Sequence, residues 1–443
     1  MKIIELADIA LKEALKLGAT DASSLCGKTN ENLIRFSNNS ITVTKNIKNL
    51  ELFLYLAKDK KRIMGSTSNL SIKEIKEFAL NLVKACETLS PSPDYTPLPK
   101  IDSRYSLHGI YDEKLVEDGT KLIEFVKETI DAGLEAGANR VSGSLTASEE
   151  NLVILTSGNA NGEDKRTKIL LNTRAFSDKE ASGHGLSCAG RLRDFNPYEA
   201  GKEAGEYAKA STNPEFWEEG VYDLVTLPTV TADIIQHVGS FASAFAVDTG
   251  LSFLTDKINQ RVSVDVFTLR DHGVIDGGFG GRGFDDEGFP TRENVIIEKG
   301  VLKSYLHNST TAKKFNASST GSAGIIDPHP WNLVVDSGAI IFDDIVKEVK
   351  RGIMVTNNWY TRFQNIRTGE YSTIPRDAAF LIEKGKIKHP VVGLRISDSL
   401  PRQLENIMLI SKERRWVEWW EVSIPTLAPS MLIKNVTITK ALG

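Results

Sequence analysis

Apolar side chains recur at helical spacing over residues 3–17, and Gly18 follows as a candidate C-cap. Short alternating runs come next, at Ala22–Lys28, Asn32–Ser37, Ile41–Lys45, Leu50–Ala57 and Arg62–Ser66. They predict a β-meander with turns at Ser37-Asn-Asn39 and Lys58-Asp-Lys-Lys61. Ser71 is placed to cap a second helix running to about Glu87, with Ile72, Ile75, Phe78, Ala79 and Leu82 on one face.

The pattern then repeats. Gly18-Ala19, Ser23 and Glu31-Asn32-Leu33 match Gly137-Ala138, Ser142 and Glu150-Asn151-Leu152 at one constant offset. The second copy also starts with a predicted helix, Glu113–Ala136, and ends with one, Pro197–Ala210. Strand-like runs lie between them at Val141–Ser148, Leu152–Thr156, Lys168–Phe176 and Gly183–Ala189. Duplication of a helix–meander–helix unit is expected, the two units sharing or extending one curved sheet. The joint, Leu89 to Pro99, carries four prolines in eleven residues. That composition forbids a helix and predicts an extended, stiff connector.

Past a boundary at Ser211–Gly220, a strand is expected at Val221–Leu227, then a helix from near Thr231 with Asp233 at its positive end. Val230, Ile234, Val238, Phe241 and Phe245 form its apolar stripe. Two hairpins are predicted, Val295–Leu306 around Lys299-Gly300 and Ala379–Val392 around Lys384-Gly385. The tail Ser430–Thr439 alternates like a half-buried strand. The fold class is therefore α+β. An N-terminal α+β domain would span 1–218, with units at about 1–90 and 112–212 and the linker at 89–99. A mainly antiparallel β domain with a few helices would span 220–443.

Composition narrows the function classes. Across 443 residues, 41% hydrophobic and 25% charged side chains are ordinary for a globular protein, and the net charge of -4 attracts neither nucleic acid nor an anionic membrane. No apolar run reaches membrane-spanning length, and the acidic N-terminus is not that of a signal peptide. Three scattered cysteines, Cys26, Cys86 and Cys188, form no disulfide framework or paired metal motif, so a cytoplasmic location is expected.

The densest unusual stretch is Asp271 to Leu306. Gly278-Phe-Gly-Gly-Arg-Gly283 fits GxGxxG, but Asp285-Asp-Glu287 would repel phosphate, and Gly288 and Pro290 stop the helix a dinucleotide loop needs. Those acids also lack the alternating spacing of a calcium loop. His184 and Cys188 could form a nucleophilic pair, but on a strand positions i and i+4 are about 13 Å apart. His237 has no helical partner for a zinc site, since Val238 to Ala242 are not ligands. The cluster Trp416–Glu421 with Trp359-Tyr360 would line a peptide groove, a core or a subunit interface.

Leu17-Gly-Ala-Thr-Asp21, Phe284-Asp-Asp-Glu-Gly-Phe-Pro290 and Glu298–Leu306 follow one another in an order that resembles the TldD/PmbA family, once labelled modulators of DNA gyrase. Ser319-Thr-Gly321, Trp331–Val335, Gly369–Ser372 and Ala428–Ile433 extend the resemblance over nearly the whole chain. In the TldD branch an H-E-x-x-x-H helix and a C-terminal cysteine hold zinc. The matching helix here reads His237-Val-Gly-Ser-Phe-Ala242, and no cysteine follows Cys188.

The resemblance therefore implies a TldE/PmbA-like, non-catalytic subunit with no catalytic residue, metal or cofactor of its own. His237 is the lone remnant of the motif. Zinc is expected in a TldD-like paralogue, with which the chain would form a heterodimer acting on unfolded or linear peptides. A homodimer through the same surface is an alternative when that partner is missing. A stand-alone peptidase of unorthodox site and a peptide-binding or gyrase-associated adaptor are the alternatives. Gly280, Gly281, Arg282, Asp285, Asp286, Glu287 and Gly288 are the candidates for shaping the loop or lining a substrate or partner groove.

Overall fold

The computed structural model describes residues 1–441 except 102–104, 106–109, 116–118 and 180. Its first half is built twice from one plan. The first unit comprises α1 (Ile3–Lys16), β1 (Asp21–Ser37), β2 (Ser40–Lys58), β3 (Lys61–Thr67) and α2 (Ile72–Glu87). The second comprises α3 (Gly119–Glu135), β4 (Arg140–Thr156), β5 (Asn161–Phe176), β6 (Ser182–Ala189) and α4 (Pro197–Ala210).

The strands are longer than the apolar pattern suggests. Where five short runs are expected, β1 and β2 are each unbroken: the polar stretch Lys28–Asn32 of β1 is paired on both sides, and Asn46–Asn49 of β2 pairs with it. Asn38-Asn39 and Asp59-Lys60 sit at positive φ, matching the two-residue turns that suit the twist of a hairpin. The helix expected from Glu113 is instead a 3-10 turn at Glu113–Leu115 and then α3 from Gly119, with residues 116–118 outside the description.

The two units join through their first strands. β1 pairs antiparallel with β4, giving a six-stranded sheet in the order β3-β2-β1-β4-β5-β6. All four helices cover one face. Leu52, Leu54 and Leu56 of β2 point to α1 and α2, while Leu145, Ile169 and Leu171 point to α3 and α4. The fit of α4 requires small residues: a Cβ on Gly185 would stand 1.8 Å from the Ala200 carbonyl oxygen. The proline-rich joint packs down, with Leu98 buried against Tyr55 and Ala57.

The second half begins with β7 (Gly220–Thr226), α5 (Pro228–Phe241), α6 (Ala244–Asp248), β8 (Leu269–His272), β9 (Glu293–Glu298) and β10 (Val301–Leu302). It continues through α7 (Ser309–Lys314), β11 (Leu333–Val335), α8 (Phe342–Lys347), β12 (Arg351–Val355), β13 (Asn358–Asn365) and β14 (Glu370–Pro375). It closes with β15 (Ala379–Glu383), β16 (Lys386–Pro390), β17 (Leu394–Ser399), α9 (Leu400–Glu405), β18 (Ile407–Trp419) and β19 (Val422–Lys440). The thirteen strands β7 to β19 form one sheet, antiparallel except where β11 meets β19 and β12 meets β7. The Lys299-Gly300 and Lys384-Gly385 corners both lie at positive φ, as a tight hairpin requires.

Three boundaries differ from expectation. Helix α5 starts at Pro228, because proline at the first helical position loses no hydrogen bond, so Asp233 lies in its second turn. It ends at Phe241: Ala242 and Ala244 exchange backbone hydrogen bonds with Leu306, and Phe245 falls on the separate α6, partly exposed. The returning arm of the first hairpin is only Val301–Leu302, since Lys303 to Leu306 turn away to meet the end of α5.

Candidate functional site

The loop between β8 and β9 sits where the two halves meet. Asp164 of β5 accepts a hydrogen bond from the Gly283 amide at 2.8 Å, and Arg166 donates to the Gly281 carbonyl at 2.7 Å. Ser23 of β1 donates to the Asp286 carbonyl at 3.1 Å, and Tyr105 to that of Gly288 at 2.8 Å. Phe284 is buried on the sheet face opposite the helices, against Leu152 and Ile154. The loop thus covers part of the side of the N-terminal sheet that its own helices leave open.

Its glycines are required by close approach within the chain. Gly280 and Gly288 have positive φ, and a Cβ there would lie 2.4 Å from Pro425 and from Ala160 respectively. A Cβ on Gly281 would lie 2.4 Å from the Gly273 carbonyl oxygen.

The acids face inward. Asp285 Oδ1 accepts from the amides of Glu287 (3.0 Å) and Phe289 (2.8 Å), and Oδ2 from that of Ala323 (3.0 Å). Burial, and then the neighbouring Glu287, push its carboxyl well above the usual range against those amides. Glu287 Oε2 accepts from the Ser309 amide at 2.9 Å and its hydroxyl at 2.6 Å; burial still raises its pKa to about 7. Asp286 faces Arg282, with Oδ1 2.9 Å from Nη2.

Asp271, at the head of the loop, is fully buried and accepts from the Ser322 hydroxyl and the Trp331 amide, both at 2.8 Å; burial raises its pKa to about 6. These carboxylates are taken up by internal donors, which suits an ordered structural loop and leaves no open ligand set for calcium. A strand, β9, follows the glycines where a dinucleotide loop would need a helix.

Sequence reasoning did not single out Asp164, Arg166 or Asp271. Glu163-Asp-Lys-Arg166 reads as a solvated charged run, and only the register of β5 shows that Asp164 is buried against the loop. A second missed group ties the halves further along: Asp377, fully buried, accepts from Arg174 Nε (2.8 Å), Ser182 Oγ (2.6 Å) and Asn357 Nδ2 (2.7 Å). Arg174 and the surrounding donors hold its carboxyl below the usual range despite burial.

His184 and Cys188 both lie on β6 and face different partners. His184 Nε2 is 3.1 Å from Asn172 Oδ1, and burial pushes its pKa down to about 4. Cys188 donates to the Glu418 carbonyl at 3.5 Å, and burial pushes its thiol up to about 12. Both side chains are buried, and each is held by another partner rather than by the other.

His237 packs its ring edge-on to Phe363, 5.0 Å between centroids, with Nε2 3.6 Å from Asp233 Oδ1. Asp233 is fully buried and already accepts from Asn358 (2.5 Å) and Thr361 (2.6 Å). Gln236, the next side chain on that face, accepts from the Ser423 amide at 3.0 Å and donates to the Glu421 carbonyl at 2.5 Å. The neighbourhood offers one imidazole, and the Asp233 and Gln236 side chains are committed. It does not fit zinc, which takes three or four protein ligands. Among the described residues no three His, Cys, Asp or Glu side chains are grouped to hold a metal ion.

The tryptophan cluster divides. Trp419 is buried beside His184, whereas Trp420 and Tyr360 are 56% and 49% exposed, and Arg376 lies 4.8 Å from the Trp359 ring and 5.0 Å from that of Trp420.

Residues 219–440 match the model of the PmbA/TldA metallopeptidase C-terminal domain, and residues 117–212 that of the central domain. The chain belongs to the PmbA/TldD metallopeptidase family. It is 29% identical over 219 residues to a metalloprotease PmbA homolog of Haemophilus influenzae, covering 49% of this chain and 47% of that one. The chain thus spans about half the length of the first curated relatives it matches.

Two solved structures share the fold. One is called a modulator of a DNA gyrase, from Thermotoga maritima (TM-score 0.87, 23% identity, covering 99% of this chain and 100% of that one). The other is TldE from Thermococcus kodakarensis (TM-score 0.85, 19% identity, covering 98% and 100%). Among the described residues no helix is long and apolar enough to cross a membrane.

Proposed function

We propose that this chain is a TldE-like, non-catalytic subunit of a zinc metallopeptidase complex, and that a TldD-like paralogue supplies the metal. Unfolded or linear peptides are its clients, and a reducing cytoplasm is its setting. The observation that carries the reading is the surroundings of His237. The helix presents one imidazole, Asp233 is bound to Asn358 and Thr361, and Gln236 is bound to the β18–β19 turn. Without a carboxylate free to act as base beside a metal-bound water, the hydrolytic step has no agent in this chain.

The test is reconstitution. The isolated chain should hold well under one zinc per molecule by elemental analysis and should not cleave an unstructured peptide. Cleavage should appear when a paralogue bearing H-E-x-x-x-H is added. Stoichiometric zinc with cleavage by the lone chain would refute the reading. A stand-alone cysteine peptidase is disfavoured by the buried, hydrogen-bonded thiol of Cys188.

A further inference from the structure

The two units of the N-terminal sheet differ at one edge. β3 ends at Thr67, opposite Leu52, so the outer side of β2 before Leu52 has no neighbouring strand. Lys58 and Lys61 close a two-residue turn. From Lys58 back along β2, every second residue therefore turns its N–H and C=O away from β1. That set includes Leu50, Lys48, Asn46 and Thr44. Among the described residues nothing hydrogen-bonds to these backbone groups, and Thr44 to Asn49 are all exposed.

The second unit shows what such an edge accepts. Arg140 pairs with Phe176 as Asp21 pairs with Ala57, which makes Thr167 of β5 the counterpart of Lys48. The outward amide of Thr167 donates to the Ile110 carbonyl at 3.0 Å, and the Asp112 amide donates to the Thr167 hydroxyl at 2.8 Å. The segment 110–112 thus lies along β5, with Ile110 buried and Tyr111 hydrogen-bonded to Lys165 at 2.6 Å. No described residue does the same for β2.

The side chains along the open edge sort by face. Leu50 and Leu52 point to α1 and α2, so Thr44, Asn46 and Lys48 lie on that side, as does Lys28 of β1. Lys28 and Lys48 are exposed and in no ion pair among the described residues. The acids of this stretch, Glu31 and Glu51, lie on the opposite side with Val43, Lys45 and Ile47, and Ile47 is 42% exposed. Two copies meeting at this edge would set Lys45 and Lys48 of one against those of the other, which disfavours a second copy as the occupant.

We infer that the free edge of β2 takes a linear peptide as an added strand, one whose residues alternate between acidic and apolar. Its main chain meets the backbone groups of Thr44 to Leu50. Its carboxylates lie on the side of Lys48, and its apolar side chains on that of Ile47. The inference deepens the peptide-handling reading above and rests on it for the ligand class.

The test uses the full chain and a fluorescently labelled octapeptide alternating valine and glutamate. Anisotropy should show binding, and amide hydrogen exchange followed by mass spectrometry should slow over residues 41–51. The same peptide N-methylated at every amide keeps its charge and should bind about tenfold more weakly or worse. Lys48→Glu should weaken the valine–glutamate peptide about tenfold and admit a valine–lysine octapeptide that the wild type does not bind. That exchange of preference is not expected of a merely structural residue. Asn46→Pro removes an outward N–H that β1 does not use and should abolish binding. If that variant fails to fold, the N-methylated peptide tests the same main-chain pairing from the ligand's side.

Equal binding of the N-methylated peptide, slowed exchange elsewhere but not over 41–51, or no binding would overturn the edge site. Self-association of the lone chain that slows exchange over 41–51 and excludes the peptide would overturn it too. If the paralogue restores cleavage while no peptide binds the edge, the edge site fails and the subunit reading stands. Peptide binding at the edge of a lone chain that carries zinc and cleaves would leave the edge site and refute the subunit reading.

Discussion

Replacing Glu287 by glutamine removes one titration from the loop and relieves the like charge beside Asp285, which shifts the variant in the same direction. Glu287 is buried, its pKa is raised from 4.5 to about 7, and burial is the main cause. Between these values the folded chain holds a proton that the unfolded chain has released. More protons are then bound in the folded state, so this group's contribution to stability falls as pH rises through that window. The span is about 2.5 pKa units, on the order of 3.5 kcal/mol at about 1.4 kcal/mol per unit.

Glutamine mimics the protonated acid and does not titrate. At pH 5, Glu287→Gln should therefore sit close to wild type or slightly below it. By pH 8 it should gain on wild type by about 1–3 kcal/mol. Urea unfolding of both proteins at pH 5, 6, 7 and 8 measures this. The difference between the two is the proper observable because His184 and His307 act in the opposite sense. Both have pKa values pushed down to about 4 by burial, so their contributions rise with pH between about 4 and 6.5 and flatten the wild-type profile. A variant-minus-wild-type difference that is flat, or that falls from pH 5 to pH 8, would refute the assignment of a buried, uphill-titrating Glu287.

Further outcomes follow from other sites. Asp377→Ala should destabilise by about 3–5 kcal/mol in denaturant unfolding, because it leaves the Arg174 guanidinium without its buried partner. Gly185→Ala forces a Cβ into the Ala200 carbonyl and should cost about 1–3 kcal/mol or more, read as a lowered urea midpoint. Cys188 should resist iodoacetamide at pH 8 in the native protein and react after unfolding, followed by mass spectrometry. His237→Ala should leave the cleavage rate of the reconstituted complex within about twofold of wild type, since its loss removes no metal ligand set.

The fold was legible in the chain to the extent that periodicity was. The duplicated order of helix, meander and helix could be read because Gly18 and Gly137, and Glu31 and Glu150, recur in step. The continuity of β1 and β2 could not, because the strand character of Lys28–Asn32 and of Asn46–Asn49 comes from pairing with neighbouring strands rather than from alternation. The loop's chemistry was half legible. Glycine density and consecutive acids mark an unusual segment, but which acid meets which donor depends on Ala323 and Ser309, far along the chain. Asp164 and Asp377 were illegible for a related reason. Asp164 lies in a charged run and Asp377 follows Arg376, and each side chain is buried where the two halves meet.

The hydrogen bonds from Asp164 and Arg166 to the Gly283 amide and the Gly281 carbonyl have a mechanical consequence. They fasten one half of the molecule to the other at backbone atoms, an amide N–H that every residue but proline carries and a carbonyl that all carry. Side-chain exchange inside the loop can therefore drift without loosening the tie, provided the chain can still follow the same path through Gly280 and Gly288. Insertion or deletion of even one residue between these glycines would move both backbone contacts out of register at once. Loop length, more than loop composition, then sets how the two halves are held together.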